Sequence, residues 1–343
     1  MDLISPRVYL CGIGAVSPAG WGTMALEQAL EAGEPLPIQP LERFGWEAPL
    51  RFRPVPPPRE RPAFFGHPRM RRASAITHYT AAAGLEALAG LPTEIREHRL
   101  GIIVCLQVGP VQYASRLFQE ILANPSMASP MLFPETVFSA PASHVAALIG
   151  EPPVATTVLG DASSFLQGLA LATDWLAQGM VEVALVVSAE ELNWLSADAA
   201  RLFNRNGVCA AGAAAVCLTG ESRLGIGAEL ELITDAVPYA AARPCGKAAV
   251  EMRQQFPPGT PQELLCDTQG GAPAPCRAER TAWADWPGAR RSPRKILGEG
   301  FVAAAGWQCV TAIHAVSSRQ YAAANVSVVG CTQQTIGARF IPA

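Results

Sequence analysis

Two segments of this chain, Ser163 to Gln178 and Phe301 to Val316, read as helices that are almost uncharged on every face. A helix that is apolar all round has to be covered on all sides, so the fold must place two helices at its centre with other layers packed around them. Each is introduced by the same pattern, Leu159-Gly160-Asp161 in one case and Leu297-Gly298-Glu299 in the other. Three residues plus context are compatible with duplication or with chance. Either way, each acid falls at a helix N-terminus, where free backbone N–H groups and the helix dipole favour an anion.

The segments around them alternate between the two regular periods. Arg7 to Gly14 reads as a strand, and Trp21 to Ala32 as a helix ended by Gly33. Residues 34 to 68 are proline-rich without a sustained period and read as an irregular surface excursion. A helix over Arg72 to Leu91, an apolar strand over Leu100 to Val108 and a helix over Gln112 to Leu122 follow. Pro153 to Leu159, Ser163 to Gln178 and Val181 to Ser188 then form a strand, helix, strand unit. The second half offers strands at Gly227 to Asp235 and Glu263 to Cys266, the helix from Phe301, and a final strand at Asn325 to Val329. Alternating elements of this kind make an α/β chain.

With 343 residues, half of them hydrophobic and 16% charged, the chain has ample surface to bury and is not disordered. A net charge of -3 provides no global field for nucleic acid or an anionic membrane. Its longest apolar run, around Val208 to Leu218, is too short for a membrane span. Nine cysteines without a CxxC pair, after a start that lacks a signal-peptide pattern, fit a reducing cytoplasm. Cys105, Cys217 and Cys309 sit in apolar runs and read as small core hydrophobes. No phosphate loop, metal-ligand cluster or Ser-His-Asp spacing stands out, so neither metal nor cofactor is expected.

Residues 8–34 (VYLCGIGAVSPAGWGTMALEQALEAGE), 69–88 (RMRRASAITHYTAAAGLEAL), 138–191 (from FSAPASHVAALIG to VVSAEE) and 298–316 (GEGFVAAAGWQCVTAIHAV) resemble, in order and spacing, the β-ketoacyl synthase family. The stretch from about Leu224 to Pro261 is shorter than in that family. The resemblance implies a thiolase-like fold: two pseudo-equivalent βαβαβ halves, residues 1–222 and 223–343, in a five-layered α-β-α-β-α architecture.

The family's catalysis uses a cysteine at the start of the first buried helix, where the dipole lowers its pKa, and two histidines. The cysteine corner is matched here by Gly160-Asp161-Ala162-Ser163, which puts Asp161 in its place. The first histidine loop is matched by Thr268-Gln269-Gly270-Gly271-Ala272-Pro273, with Thr268 in its place. The second is matched by Gly298-Glu299-Gly300, with Glu299 or Gly300 in its place. None of the five histidines, His67, His78, His98, His144 and His314, lies in these motifs, and His144 reads as structural. Cys331, in the loop Gly330 to Gln334, falls beside the family's active site.

A synthase-like chain without the triad resembles the chain length factor of type II polyketide systems, a silent subunit paired with an active ketosynthase, and its short motifs are nearest to those of polyene and aryl polyene systems. The resemblance implies dimerisation through the strand Pro153 to Leu159, with Thr156, Thr157 and Val158 at the interface. It also implies an acyl tunnel bounded by Phe133, Val137 and Phe138, three side chains whose plainer reading is ordinary core. An acidic acyl carrier protein is a further implied partner. The seven arginines between Arg51 and Arg72, set against Glu60 alone, would suit it or simply form a solvated surface. Two other readings stand beside this one. Asp161 and Glu299 could form a carboxylate pair that hydrolyses or decarboxylates an acyl thioester, or the chain could be a free-standing acyl-binding scaffold.

Overall fold

The computed structural model describes residues 7–43, 45–92, 100–149, 154–240 and 244–343; His98 and Pro153 lie outside them. The chain opens with β1 (Val8–Ser17) and α1 (Thr23–Ala32), the latter closed by Gly33 in the left-handed conformation. There follow α2 (Ala75–Leu88), β2 (Leu100–Leu106), α3 (Val111–Ala123), α4 (Ala140–Ile149), β3 (Val154–Leu159), α5 (Ser164–Ala177), β4 (Val183–Glu190) and β5 (Gly212–Thr219). The second run comprises β6 (Ala228–Ile233), α6 (Cys245–Arg253), β7 (Glu263–Cys266), α7 (Pro273–Ala282), β8 (Ala289–Arg291), α8 (Val302–Ser317), β9 (Ala323–Val329) and β10 (Gln334–Pro342).

Strand order reveals the kinship of the two runs. The first is arranged β3-β2-β4-β5-β1 and the second β8-β7-β9-β10-β6, so with strands counted from one in each half both read 3-2-4-5-1. In each, strands three, two and four are mutually parallel and the fifth is antiparallel to both its neighbours. The two first strands pair antiparallel, with Tyr9 opposite Glu229, and join the halves along one edge.

Side-chain alternation sorts the layers. On β2, Ile103 and Cys105 join the central cluster with Phe165, Leu169, Trp307 and Val310, whereas Ile102, Val104 and Leu106 join an outer cluster with Ile76 and Ala83 of α2 and Val145 of α4. In the second half Leu264 and Cys266 face the centre, while Leu265 packs outward with Met252 of α6 and Trp283 after α7. The resulting order is α2 and α4, first sheet, α5 and α8, second sheet, α6 and α7. These are the five layers of the thiolase-like fold.

Helix α8 is fastened to both sheets. Trp307 donates from Nε1 to the carbonyls of Val16 and Ala213 in the first sheet. Gln308 donates from Nε2 to the carbonyls of Cys266 and Ser327 in the second. Gly306 permits the close approach, because a Cβ there would lie 2.1 Å from Ser188 Oγ. The other central helix is less enclosed: Leu171 and Leu176 of α5 are half-buried and Asp174 is exposed, so covering on every face holds for α8 alone.

Several boundaries differ from expectation for identifiable reasons. Strand β2 stops at Leu106 because the N–H groups of Gln107 and Val108 turn to the buried Glu190 carboxylate. Residues 68–72 form a 3₁₀ turn, and α2 begins only where Glu191 Oε2 accepts the Ile76 N–H. The proline-rich excursion is partly regular: Gln39–Leu41 and Leu50–Arg53 pair with each other, and the latter with Cys209–Ala210, in a small separate sheet that buries Leu50 and Arg53. Asn325 to Val329 is not the final strand, since β10 returns antiparallel beside β9 and β6. No helix among the described residues is long and apolar enough to cross a membrane. All nine cysteines are unpaired.

Candidate functional site

Asp161 lies in the turn before α5 and is buried. Its Oδ1 accepts from the N–H and the hydroxyl of Ser163, as a carboxylate at a helix start should. Its Oδ2 accepts from the backbone N–H groups of Thr332 and Gln333, each at 3.2 Å, and so clamps the loop between β9 and β10. Gly330 must be glycine here, because a Cβ would lie 2.0 Å from Asp161 Oδ2. Both oxygens are thus engaged within the chain. A carboxylate so placed cannot carry an acyl group as a cysteine thioester does.

Thr268 follows β7 and faces another buried acid. Its N–H and hydroxyl donate to Glu279, which also accepts from Gln269 Nε2 and Ser327 Oγ. Burial pushes the Glu279 carboxyl up to about 7, with nearby Asp267 adding to the rise. Thr268 is therefore a brace for the end of β7.

Glu299 stands at the turn before α8. Its Oε1 accepts the Phe301 N–H at 2.9 Å and its Oε2 accepts from Arg294 Nη1 at 2.8 Å. Its backbone makes a parallel bridge to residues 208–210, and Gly298, at φ 99°, keeps a Cβ from meeting the Val208 carbonyl. The neighbouring Gly300, the other candidate for the second histidine position, cannot hold a side chain, because Trp307 fills that space with its ring 2.6 Å from a notional Cβ.

Of the three matched positions, Glu299 lines a cavity. The space is about 340 Å³, and its lining includes Val108, Phe203 and Phe301 together with Arg201, Glu299 and Cys331. Burial, followed by the Glu299 charge, pushes the Cys331 thiol up to about 12, so it is protonated at neutral pH and not poised as a nucleophile. Arg294 is buried behind these groups. Burial alone would lower its pKa, yet Glu299 first and then Cys331 raise it above its ordinary value. No hydrogen bond joins Asp161 to Glu299 among the described residues, and each acid is used separately. Nor do those residues contain a His, Cys, Asp or Glu group able to hold a metal ion.

The sequence did not point to Arg294 or to the wall over residues 199–204. The one available signal was the arginine three residues before Leu297, in a segment read only for its acid. His144 Nε2 donates to the Glu135 carboxylate at 2.9 Å.

The interface candidates lie elsewhere, on the opposite edge of the first sheet. Among the described residues strand β3 pairs on one side only, with β2. Thr156, Thr157 and Val158 are half-buried along it, while Val154 and Leu159 are exposed. Helix α3 buries none of its residues, and its Phe118 and Leu122 face solvent. The core reading of the ring cluster is overturned: Phe133 is 63% exposed and Phe138 41%, with Val137 also exposed. Phe138 lies against Gly109, which sits at φ 72° and whose notional Cβ would strike the ring at 2.5 Å.

Neither a family model nor a curated protein sequence matches the chain. Solved structures do. The ishigamide ketosynthase/chain length factor matches with a TM-score of 0.82 at 18% identity, over 98% of this chain and 99% of that one. The fold is that of ketosynthase subunits. A type II PKS acyl-carrier protein in complex with its ketosynthase bound to the hexaketide matches with a TM-score of 0.80 at 16% identity, over 99% of this chain and 100% of that one. A β-ketoacyl synthase from Burkholderia phymatum matches with a TM-score of 0.82 at 16% identity, over 98% and 100%. Nearly end-to-end coverage means that this ketosynthase-like chain has the whole fold, not one half of it.

Proposed function

We propose that this chain is a non-catalytic ketosynthase-like subunit, a chain length factor, that pairs with an active β-ketoacyl synthase and shapes the acyl tunnel in type II polyketide or polyene synthesis. The observation that carries the reading is that Asp161, which by resemblance matches the family's nucleophile, has both carboxylate oxygens spent within the chain, on Ser163 of its own turn and on the 330–334 loop. The edge of β3 that is unpaired among the described residues supports the other half of the proposal, because such an edge, with Val154 and Leu159 exposed on the strand, is an aggregation hazard unless a partner covers it. Pairing of β3 across a pseudo-two-fold axis would bring Thr156, Thr157 and Val158 to the partner's equivalent strand. Phe133, Val137 and Phe138 then line the end of a tunnel that begins at the partner's cysteine. The acyl carrier protein reaches the tunnel through the complex. The division into halves at residue 222 belongs to the same reading.

Coexpression with active ketosynthases tests it. The expected result is a stable 1:1 heterodimer by size exclusion and mass measurement, with radiolabelled acyl groups retained on the partner alone. Acyl label retained on this chain and lost on Asp161→Ala would refute its silence. Monodisperse behaviour alone, with no ketosynthase able to bind it, would refute the pairing.

A further inference from the structure

A second hollow, of about 780 Å³, opens at the carboxyl ends of the parallel strands β7 and β8. Asp267 directly follows β7, Ser292 directly follows β8, and both line it. Crevices at the carboxyl ends of strands are where open α/β sheets hold ligands. The lining is strongly one-signed. Arg277 and Arg280 come from α7, Arg290 from β8 and Lys295 from the short helix Pro293–Leu297, against Asp267 alone among the described lining residues. Asp267 is already engaged: its Oδ1 accepts from Ser292 Oγ at 2.6 Å and from the Gln269 N–H at 3.2 Å, and Arg290 Nη1 stands 3.7 Å from its Oδ2. No ion pair of Arg277, Arg280 or Lys295 occurs among the described residues. Elsewhere the chain treats its arginines differently, since Arg43, Arg116, Arg223 and Arg339 each meet a carboxylate at 2.5–3.1 Å. The walls of the hollow are also held in place. Arg280 Nη2 donates to Gln269 Oε1 at 3.1 Å, and Arg290 Nη2 donates to the Trp283 carbonyl. Gly270, at φ 104°, lets the loop after β7 press on the short helix, because a Cβ there would lie 2.8 Å from the Lys295 backbone nitrogen.

Charge decides what kind of ligand fits. With Arg290 set against Asp267, the cations Arg277, Arg280 and Lys295 remain without a counter-charge around one concave space, which focuses a positive field into it. A lone carboxylate would answer only one of them. A phosphate group carries about −1.5 to −2 at neutral pH and presents three acceptor oxygens, a pair of which a guanidinium fork can grip with two parallel N–H groups. A second phosphate joined to the first completes the neutralisation. We propose that this hollow binds a diphosphate, either free or carried on a small organic molecule. No bond is made or broken in this binding. Side chains from three elements supply the recognition instead of a glycine-rich loop, so no phosphate motif stands out in the sequence. The proposal does not rest on pairing with a ketosynthase, because every residue involved belongs to the second run of this chain.

The test titrates the full-length chain by calorimetry, at neutral pH and low ionic strength, with inorganic pyrophosphate, uridine diphosphate and citrate. Pyrophosphate is expected to bind saturably and to weaken as salt is added. Citrate, a carboxylate anion of comparable charge, should bind at least about tenfold more weakly. Uridine diphosphate binding more tightly than pyrophosphate assigns the site to a carried diphosphate, and the reverse order to a free one; either supports the proposal. Arg277→Gln combined with Lys295→Gln alters two exposed side chains and should weaken pyrophosphate by about tenfold or more, with the circular dichroism spectrum unchanged. Arg223→Gln, at an exposed ion pair elsewhere, should leave the affinity as it is. No saturable binding at millimolar pyrophosphate, citrate binding as tightly, undiminished affinity in the folded double variant, or an equal loss in Arg223→Gln would each overturn the proposal. A polyglutamate peptide that binds more tightly than either diphosphate would assign these cations to an acidic protein surface and overturn it as well.

Discussion

Leu159-Gly160-Asp161 and Leu297-Gly298-Glu299 lead into equivalent helices of the two halves, and each acid is followed seven residues later by a glycine that lets its helix approach the first sheet. A Cβ at Gly168 would lie 2.5 Å from Cys105 Sγ, and one at Gly306 2.1 Å from Ser188 Oγ. Yet the two corners differ in what their acids hold. Asp161 has only backbone and hydroxyl donors, supplied by its own turn and by the 330–334 loop, and it is buried. Glu299 is paired with a buried cation, Arg294, and itself lines a cavity. Equivalent position in a duplicated architecture therefore fixes where a carboxylate stands without fixing its role. The partner it meets determines that role.

The largest expected effect follows from the charged corner. Glu299→Ala leaves Arg294 buried without a counter-charge and is expected to cost about 3–5 kcal/mol in chemical denaturation. Adding Arg294→Met should recover much of this loss, because the pair is then replaced by apolar volume; a double variant as unstable as the single one would show that Glu299 acts through its Phe301 N–H bond instead. At the other corner, Asp161→Asn keeps the shape but sets an amide N–H₂ against donors, with an expected cost of about 1–3 kcal/mol. If the Asp161 corner proves the more costly of the two, the contrast drawn above is reversed.

A pH titration examines the buried acids that brace both halves. Glu190, at the end of β4, is pushed up to about 8 by desolvation despite accepting backbone N–H groups from the 107–109 turn. Glu191, raised to about 7, and Glu279, raised to about 7 in the second half, share that leading cause. A carboxyl with a folded pKa above its unfolded value binds its proton more tightly in the native state. Its contribution is thus fully present below about pH 4.5 and is lost as pH rises through about 7 to 8. The melting temperature is expected to fall between pH 5 and pH 9, and Glu190→Gln should flatten the fall. A flat profile in the parent chain would sink the assignment.

The contrast also explains what the sequence made legible. The uncharged stretches Ser163 to Gln178 and Phe301 to Val316 announced central helices, because nothing but burial accommodates a helix without a polar face. The β2 and β4 strands were readable from continuous apolar runs for the same reason. Strand β10 was hidden because Gly337 and Arg339 interrupt its apolar residues. Arg339 sits there through pairing with Glu231 and Glu263, an arrangement that no local pattern contains. Likewise Asp161 and Glu299 could be located but not told apart, since Arg294 and the Thr332–Gln333 backbone come to them only by tertiary folding.

The smallest effect on stability is expected where the contrast is between a buried interior and an exposed surface. Phe133 rises from the short helix Phe133–Thr136 into solvent, so Phe133→Ala should change the isolated chain's stability by no more than about 0.5 kcal/mol. Phe138→Ala should cost somewhat more, because its ring rests on Gly109 in the turn that Glu190 anchors. Neither should approach the roughly 3–5 kcal/mol typical of a buried ring. In the proposed heterodimer the order of importance should be inverted. If these rings close the tunnel, each truncation opens volume at its end, and the products should lengthen while the complex remains intact by size exclusion. Unchanged product length with an intact heterodimer would leave the rings as interface packing and remove Phe133 and Phe138 from the control of chain length.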